Sequence, residues 1–114
     1  MTTEYSWTEE FPGSITVCDP EGMILEMNDH AAKGYEDRGG KALIGTNLLD
    51  CHPEPSRSQL KEMLETQRAN SYTIEKNGQR KFVHQTPWYE QGEYRGFVEI
   101  VVTIPDKMPH FIRK

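Results

Sequence analysis

Hydrophobic and polar positions change period several times along this chain, and each change marks a predicted element. Ser14 to Asp19 (SITVCD) has the β-branched character of a strand, and Met23 to Met27 reads as its returning partner. Pro20-Glu21-Gly22 supplies the turn, with Gly22 where a positive φ is needed. Asn28 predicts an N-cap for a short helix through His30, Ala31, Ala32 and Tyr35, which Gly34 and then Arg38-Gly39-Gly40 stop early. A glycine-rich loop through Leu43, Ile44 and Gly45 leads into LLDCHPEPS at residues 48–56.

From Ser56 the period becomes helical. Leu60, Met63 and Leu64 share one face at i, i+3, i+4 spacing, while Lys61, Glu62, Glu65 and Arg68 occupy the other. Ser56-x-x-Gln59 has capping-box spacing, and Ala69-Asn70-Ser71 ends the helix. Tyr72 to Lys76 and Gln79 to Tyr89 are strands joined by Asn77-Gly78, a strong two-residue hairpin signal. Gln91-Gly92 then turns into a last strand, Glu93 to Ile104. At the other end, Ser6-x-x-Glu9 predicts a short helix before Pro12-Gly13, carrying Tyr5, Trp7 and Phe11.

A lone hairpin is marginal in water, so the two N-terminal strands must join the three-stranded meander. The predicted fold is α+β, a five-stranded antiparallel sheet with helices packed on one face. Along the fourth strand Phe82, His84, Thr86 and Trp88 share one face and Val83, Gln85, Pro87 and Tyr89 the other. One face closes the core. The other leaves an apolar patch that the N-terminal aromatics, from this chain or a second subunit, are placed to cover. Pro87 suits a strand edge or a bulge.

Composition narrows the function classes. The 114 residues suit one domain, and 35% hydrophobic with 27% charged residues suits a soluble fold. A net charge of −5 with dispersed Lys and Arg leaves no electrostatic footprint for nucleic acid. The longest apolar run, Val98 to Ile104, is broken by Glu99 and Thr103, so no membrane span is expected. The start, MTTEYSWTEE, lacks a secretion signal, which makes a cytoplasmic location the default. Cys18 and Cys51 read as reduced thiols. With His30, His52 and His84 they form no pair at zinc-ligand spacing, so no metal site is expected.

Four stretches in order, ITVCDPEG at 15–22, ILEMNDHAA at 24–32, LIGTNLLD at 43–50 and GEYRG at 92–96, resemble a PAS domain over residues 6–105. Asp50-Cys51-His52-Pro53 before the long helix is similar to a PAS subgroup of bacterial and archaeal sensor proteins. The resemblance implies a non-catalytic sensory or protein-interaction module in signal transduction. It would work as a homodimer or with a signalling partner, with a small pocket between helices and sheet. The expected organisation is an N-terminal helical segment and candidate dimer contact at 1–13, the PAS domain at 14–105 and a tail at 106–114. No length is left after Ile104 for an output domain, so the chain is expected to be a free-standing module or a piece of a longer sensor.

Candidate ligand-binding residues are Cys51, His52, Leu60, Met63, Leu64 and His84. Haem-sensing relatives hold iron through a histidine on or near the long helix, which makes His52 the haem candidate, although it lies before the helix. The simpler role for His52 is bonding to loop backbone. Flavin-based light sensors place a reactive cysteine straight after Gly-x-Asn. Here Gly45-Thr46-Asn47 is followed by Leu48, which argues against covalent flavin photochemistry. Relatives with a thioester-linked chromophore make Cys51 a candidate, and His52 or a helix start could lower its pKa. A half-buried thiol is the simpler reading. No nucleophile-base-orienter set and no phosphate-cradling loop appears, so catalysis is not expected. The alternative is a small hydrolase or isomerase using Cys51 and His52.

Overall fold

The computed structural model describes residues 6–114. Strands β1 (Ser14–Cys18), β2 (Ile24–Met27), β3 (Asn70–Lys76), β4 (Gln79–Glu90) and β5 (Glu93–Ile104) form one antiparallel sheet in the order β2-β1-β5-β4-β3. The hairpins β1–β2 and β3–β4 form where the turn residues place them. Asp19 Oδ1 accepts from Glu21 N and Met23 N, each at 2.9 Å, and Asn77 and Gly78 take φ values of 54° and 76°. The first and last strands then meet, with Thr16 opposite Glu99 and Cys18 opposite Phe97, which makes β5 the centre of the sheet.

Close approach in this centre is possible because residue 96 is glycine. At φ +130° a Cβ there would collide with the Cys18 carbonyl and with Asp19 backbone at 2.8 Å. Trp88, opposite Gly96, reaches across β5 and donates from Nε1 to the Cys18 carbonyl at 3.1 Å. Pro87 meets no strand on its other side, since β3 pairs with β4 only as far as Gln85, and the ladder shifts register between Trp88 and Tyr89.

The helices α1 (Asp29–Gly34) and α2 (Ser56–Thr66) lie on one face, joined by 3-10 turns at Glu36–Arg38, Gly40–Leu43 and Leu48–Cys51. The glycine-rich loop folds back on the first hairpin: Ile24 N donates to Thr46 O, Gly45 N to Ile24 O and Leu48 N to Gly22 O. Two apolar clusters result, one of Cys18, Met63, Leu64 and Phe97, the other of Ile24, Met27 and Ala31. Leu48 packs against both.

Asn28 caps α1 as its position predicts, and it does more. Only 3% exposed, its Oδ1 accepts from Ala31 N and Ile15 N, both at 3.0 Å, and its Nδ2 donates to Thr8 O at 2.9 Å and Gly13 O at 2.8 Å. One side chain thus ties the N-terminal segment, β1 and α1 together.

That junction explains a correction. The expected helix in the N-terminal segment 1–13 does not form among its described residues: Trp7 to Glu10 are successive turns. Thr8 O accepts from Asn28 Nδ2 as well as from Phe11 N three residues on, and Glu9 O accepts from Asp29 N at 3.0 Å, so local bonding stops at i+3 turns and these carbonyls are drawn to α1. Tyr5 lies outside the described residues.

The capping box at Ser56 is also absent. Ser56 is already helical, so the N-cap position falls on Pro55, and the Glu54 carboxylate accepts instead from Ser58 N at 3.1 Å and Ser58 Oγ at 2.7 Å. The helix ends at Thr66, before the predicted Ala69-Asn70-Ser71, as Gln67 turns left-handed at φ 58°.

Candidate functional site

A cavity of about 270 Å³ lies between the sheet and the segment running from α1 to α2. Its apolar walls come from both clusters, including Ile24, Met27, Leu48, Met63 and Phe97. Its floor is polar for a reason of register. Thr16, Glu99, Gln85 and Asn70 stand side by side across β1, β5, β4 and β3, and the first three line the cavity. Gln85 Nε2 donates to Glu99 Oε2 at 2.7 Å, and Gln85 Oε1 accepts from Asn70 Nδ2 at 3.3 Å.

The Glu99 charge is felt around the cavity. Burial pushes the Tyr35 phenol above its ordinary value, and the Glu99 carboxylate pushes it further; the same two causes raise Tyr72. Burial raises the Cys18 thiol most, a hydrogen bond with Phe97 backbone opposes the rise, and the charges of Asp19 and Glu99 add to it. At the cavity mouth Arg38 is exposed and has no ion pair among the described residues.

Four predicted ligand residues, Cys51, His52, Leu60 and Met63, are brought together on this cavity. Leu64 is not among its lining residues; it is buried in the core cluster with Cys18 and Phe97. His84 is on the opposite sheet face. It bonds Ser71 Oγ at 2.7 Å and stacks on Phe82 at a centroid distance of 5.9 Å, while its neighbour Gln85 holds the cavity position. Sequence reasoning missed Thr16, Tyr35, Arg38, Gln85 and Glu99 as lining residues. Glu99 left a signal, being the one charge inside an otherwise apolar stretch of the last strand.

His52 places Nδ1 2.7 Å from the Leu48 carbonyl oxygen. As donor in that bond, Nδ1 leaves Nε2 free to accept, which is the tautomer an axial ligand needs. The cavity, at about 270 Å³, sits at the low end of small-molecule sites, which run to roughly 300–1,000 Å³. Among the described residues no cluster of three or more His, Cys, Asp or Glu is placed to hold a metal ion, and no hydrogen bond joins Cys51 to His52. No described helix is long and apolar enough to cross a membrane.

A sheet of this strand order, with helices enclosing a ligand-sized cavity on one face, defines an α+β pocket domain. A family model described as the PAS fold matches residues 8–107, and the chain belongs to that family. Its structure is similar to the C-terminal domain of a protein from Streptococcus mutans, with 21% identity and a TM-score of 0.69 over 84% of this chain and 78% of that one. It also resembles the Aer2 receptor from Vibrio cholerae, a dual PAS-heme oxygen sensor, at 19% identity and a TM-score of 0.58 over 82% and 95% of the two chains. The PAS domain of an HTR-like protein from Haloarcula marismortui matches at 20% identity and a TM-score of 0.57 over 87% and 92%. Identities this low carry the fold and nothing finer. No curated protein matches the sequence.

Proposed function

We propose that this chain is a PAS-type sensory and protein-interaction module of signal transduction, without catalysis of its own, whose cavity takes a small ligand. The observation that carries this reading is the cavity itself, apolar on its walls and polar on its floor, which is the lining of a small-molecule site and wasteful as a mere packing defect. Cys51, His52, Leu60 and Met63 form one wall of the ligand site. The haem sensing of the Aer2 receptor is not carried over to this chain, because a likeness at 19% identity carries the fold alone.

The outer sheet face is the second functional surface. Phe82, Trp88, Val98, Ile100 and Val102 are each half-buried there, and they suit contact with a second copy or a signalling partner. The N-terminal segment belongs to the same surface, since the Phe11 ring and a Val102 methyl flank Gly13.

Indole tests the cavity as a small apolar probe. Titrated into isotopically labelled protein, it should give saturable amide shifts centred on Leu48, Cys51, Met63 and Phe97, and Leu48→Trp should abolish them by filling the space. Shifts confined to the outer face, or none, would overturn the ligand role. Light scattering across concentrations tests pairing, and a strict monomer at high concentration would count against homodimerisation.

A further inference from the structure

We infer that the ligand is a small organic amine, an apolar body carrying a protonated N–H group that Glu99 receives at the cavity floor. This rests on the sensory reading above and gives the ligand its chemistry.

Among the described residues that line the cavity, Glu99 is the only carboxylate. Its neighbours on the floor fix it in place and leave half of it unused. Gln85 cannot rotate freely, because its oxygen is occupied by Asn70 Nδ2 at 3.3 Å, so its Nε2 is directed at Glu99 Oε2 at 2.7 Å. Oε1 of Glu99 has no hydrogen-bond partner within the protein among the described residues, and no Lys, Arg or His forms an ion pair with Glu99. Thr16 stands opposite Glu99 on β1, and among the described residues its hydroxyl makes no hydrogen bond.

A carboxylate beside apolar walls gains from a partner that neutralises or hydrogen-bonds it. Here one oxygen accepts from a neutral amide, and the second, reachable and not sealed inside the protein, has no protein donor among the described residues. An ammonium group satisfies both needs: it cancels the charge and donates to Oε1, with a further N–H directed at the Thr16 hydroxyl. The walls set the rest of the molecule. Ile24, Met27, Leu48, Leu60, Met63 and Phe97 offer only dispersion contacts, so the body is apolar, and about 270 Å³ holds a single ring with a short chain. An anionic ligand would face Glu99 directly and gain only the exposed guanidinium of Arg38 at the mouth, where water screens it.

Three probes of one shape separate the alternatives: 2-phenylethylamine, 2-phenylethanol and phenylacetate, each titrated calorimetrically into the full chain at neutral pH. The amine should bind about tenfold or more tightly than the alcohol, as expected for a charged over a neutral hydrogen bond, and phenylacetate should be weakest. Glu99→Gln keeps the shape and the link to Gln85; it should remove the preference for the amine and leave the alcohol's affinity within about threefold. The inference is overturned if the alcohol or phenylacetate binds as well as the amine, a ranking read in the wild-type protein that needs no variant to fold. If none of the three binds, the cavity reading itself fails, and the two failures are therefore distinct.

Discussion

Asn28→Ala removes the most densely connected polar side chain described in the fold, and its cost can be worked from the structure. The substitution deletes a helix cap, about 1 kcal/mol, by taking the acceptor from Ala31 N. It also strands Ile15 N at the start of β1, a buried donor whose desolvation costs about 1–3 kcal/mol when unpaired. Thr8 O and Gly13 O lose their donor, and the turns at residues 7–10 lose an anchor. The two quantified terms add to about 2–4 kcal/mol, a large share of the roughly 5–15 kcal/mol that holds such a domain folded. Urea unfolding followed by circular dichroism should show the midpoint drop with an unchanged slope, and the melting temperature should fall by about 10 °C or more. Asn28→Asp sharpens the test. It keeps both bonds that Oδ1 accepts, but once ionised it aims negative charge at the carbonyls of Thr8 and Gly13. The folded state then favours the protonated acid, so its pKa rises above the unfolded value of about 3.9, and stability relative to wild type falls as pH climbs past that value. A loss under about 1 kcal/mol for the alanine variant, or a penalty for the aspartate variant equal at pH 4 and pH 7, would refute the junction.

Two glycines separate steric from conformational need. Gly92→Ala meets open space at φ +82° and should cost about 1–2 kcal/mol, whereas Gly96→Ala meets Cys18 and Asp19 backbone and should cost about 3 kcal/mol or more; equal melting temperatures would contradict this. Stability should decline in alkali. Burial raises Cys18 above its ordinary 9.0 and Tyr35, Tyr72 and Tyr94 above 10.0, so the unfolded chain loses these protons first; stability is full below those ordinary values and is lost as pH rises through the folded ones. A flat urea midpoint up to about pH 11 would refute it. Ellman's reagent should titrate the exposed Cys51 in native protein and Cys18, 2% exposed, only after denaturation; comparable native rates would show that the β1 core opens readily.

Strands and turns were legible in the sequence because their signals are local. Alternation, Asn77-Gly78 and the turn at Asp19 each act within a few residues. The N-cap role of Asn28 was legible for the same reason, but its junction was not, since Thr8, Gly13 and Ile15 approach it only through the sheet. The N-terminal helix failed on that same contact. At the site, period-2 alternation names two faces without saying which one the helices cover, and both faces of β4 carry apolar groups. Choosing His84 over Gln85 is an error of one residue, and it moves the side chain to the opposite side of the sheet. Glu99 shared this ambiguity: its charge inside an apolar strand was visible, and its direction was not.

That same alternation bears on how a filled cavity would reach the surface. In β5, Phe97 and Glu99 line the cavity, Val98 borders it too, and Ile100 and Val102 lie on the outer face, so one backbone serves both sides. A shift of Glu99 is passed to Val98 and Ile100 through single peptide units in a stiff central strand. The competing route runs from Arg38 through the Gly40–Leu43 turn to Lys41, whose ammonium meets Glu9 at 2.8 Å and Asp29 at 3.0 Å. Those ion pairs raise the Lys41 pKa, yet all three groups are about half exposed, and pairs of this kind are weakened by water and salt. The strand route should therefore dominate. With 2-phenylethylamine bound, amide shifts at Val98 and Ile100 should persist in Lys41→Ala and in high salt; their disappearance in either would assign the coupling to the N-terminal segment instead.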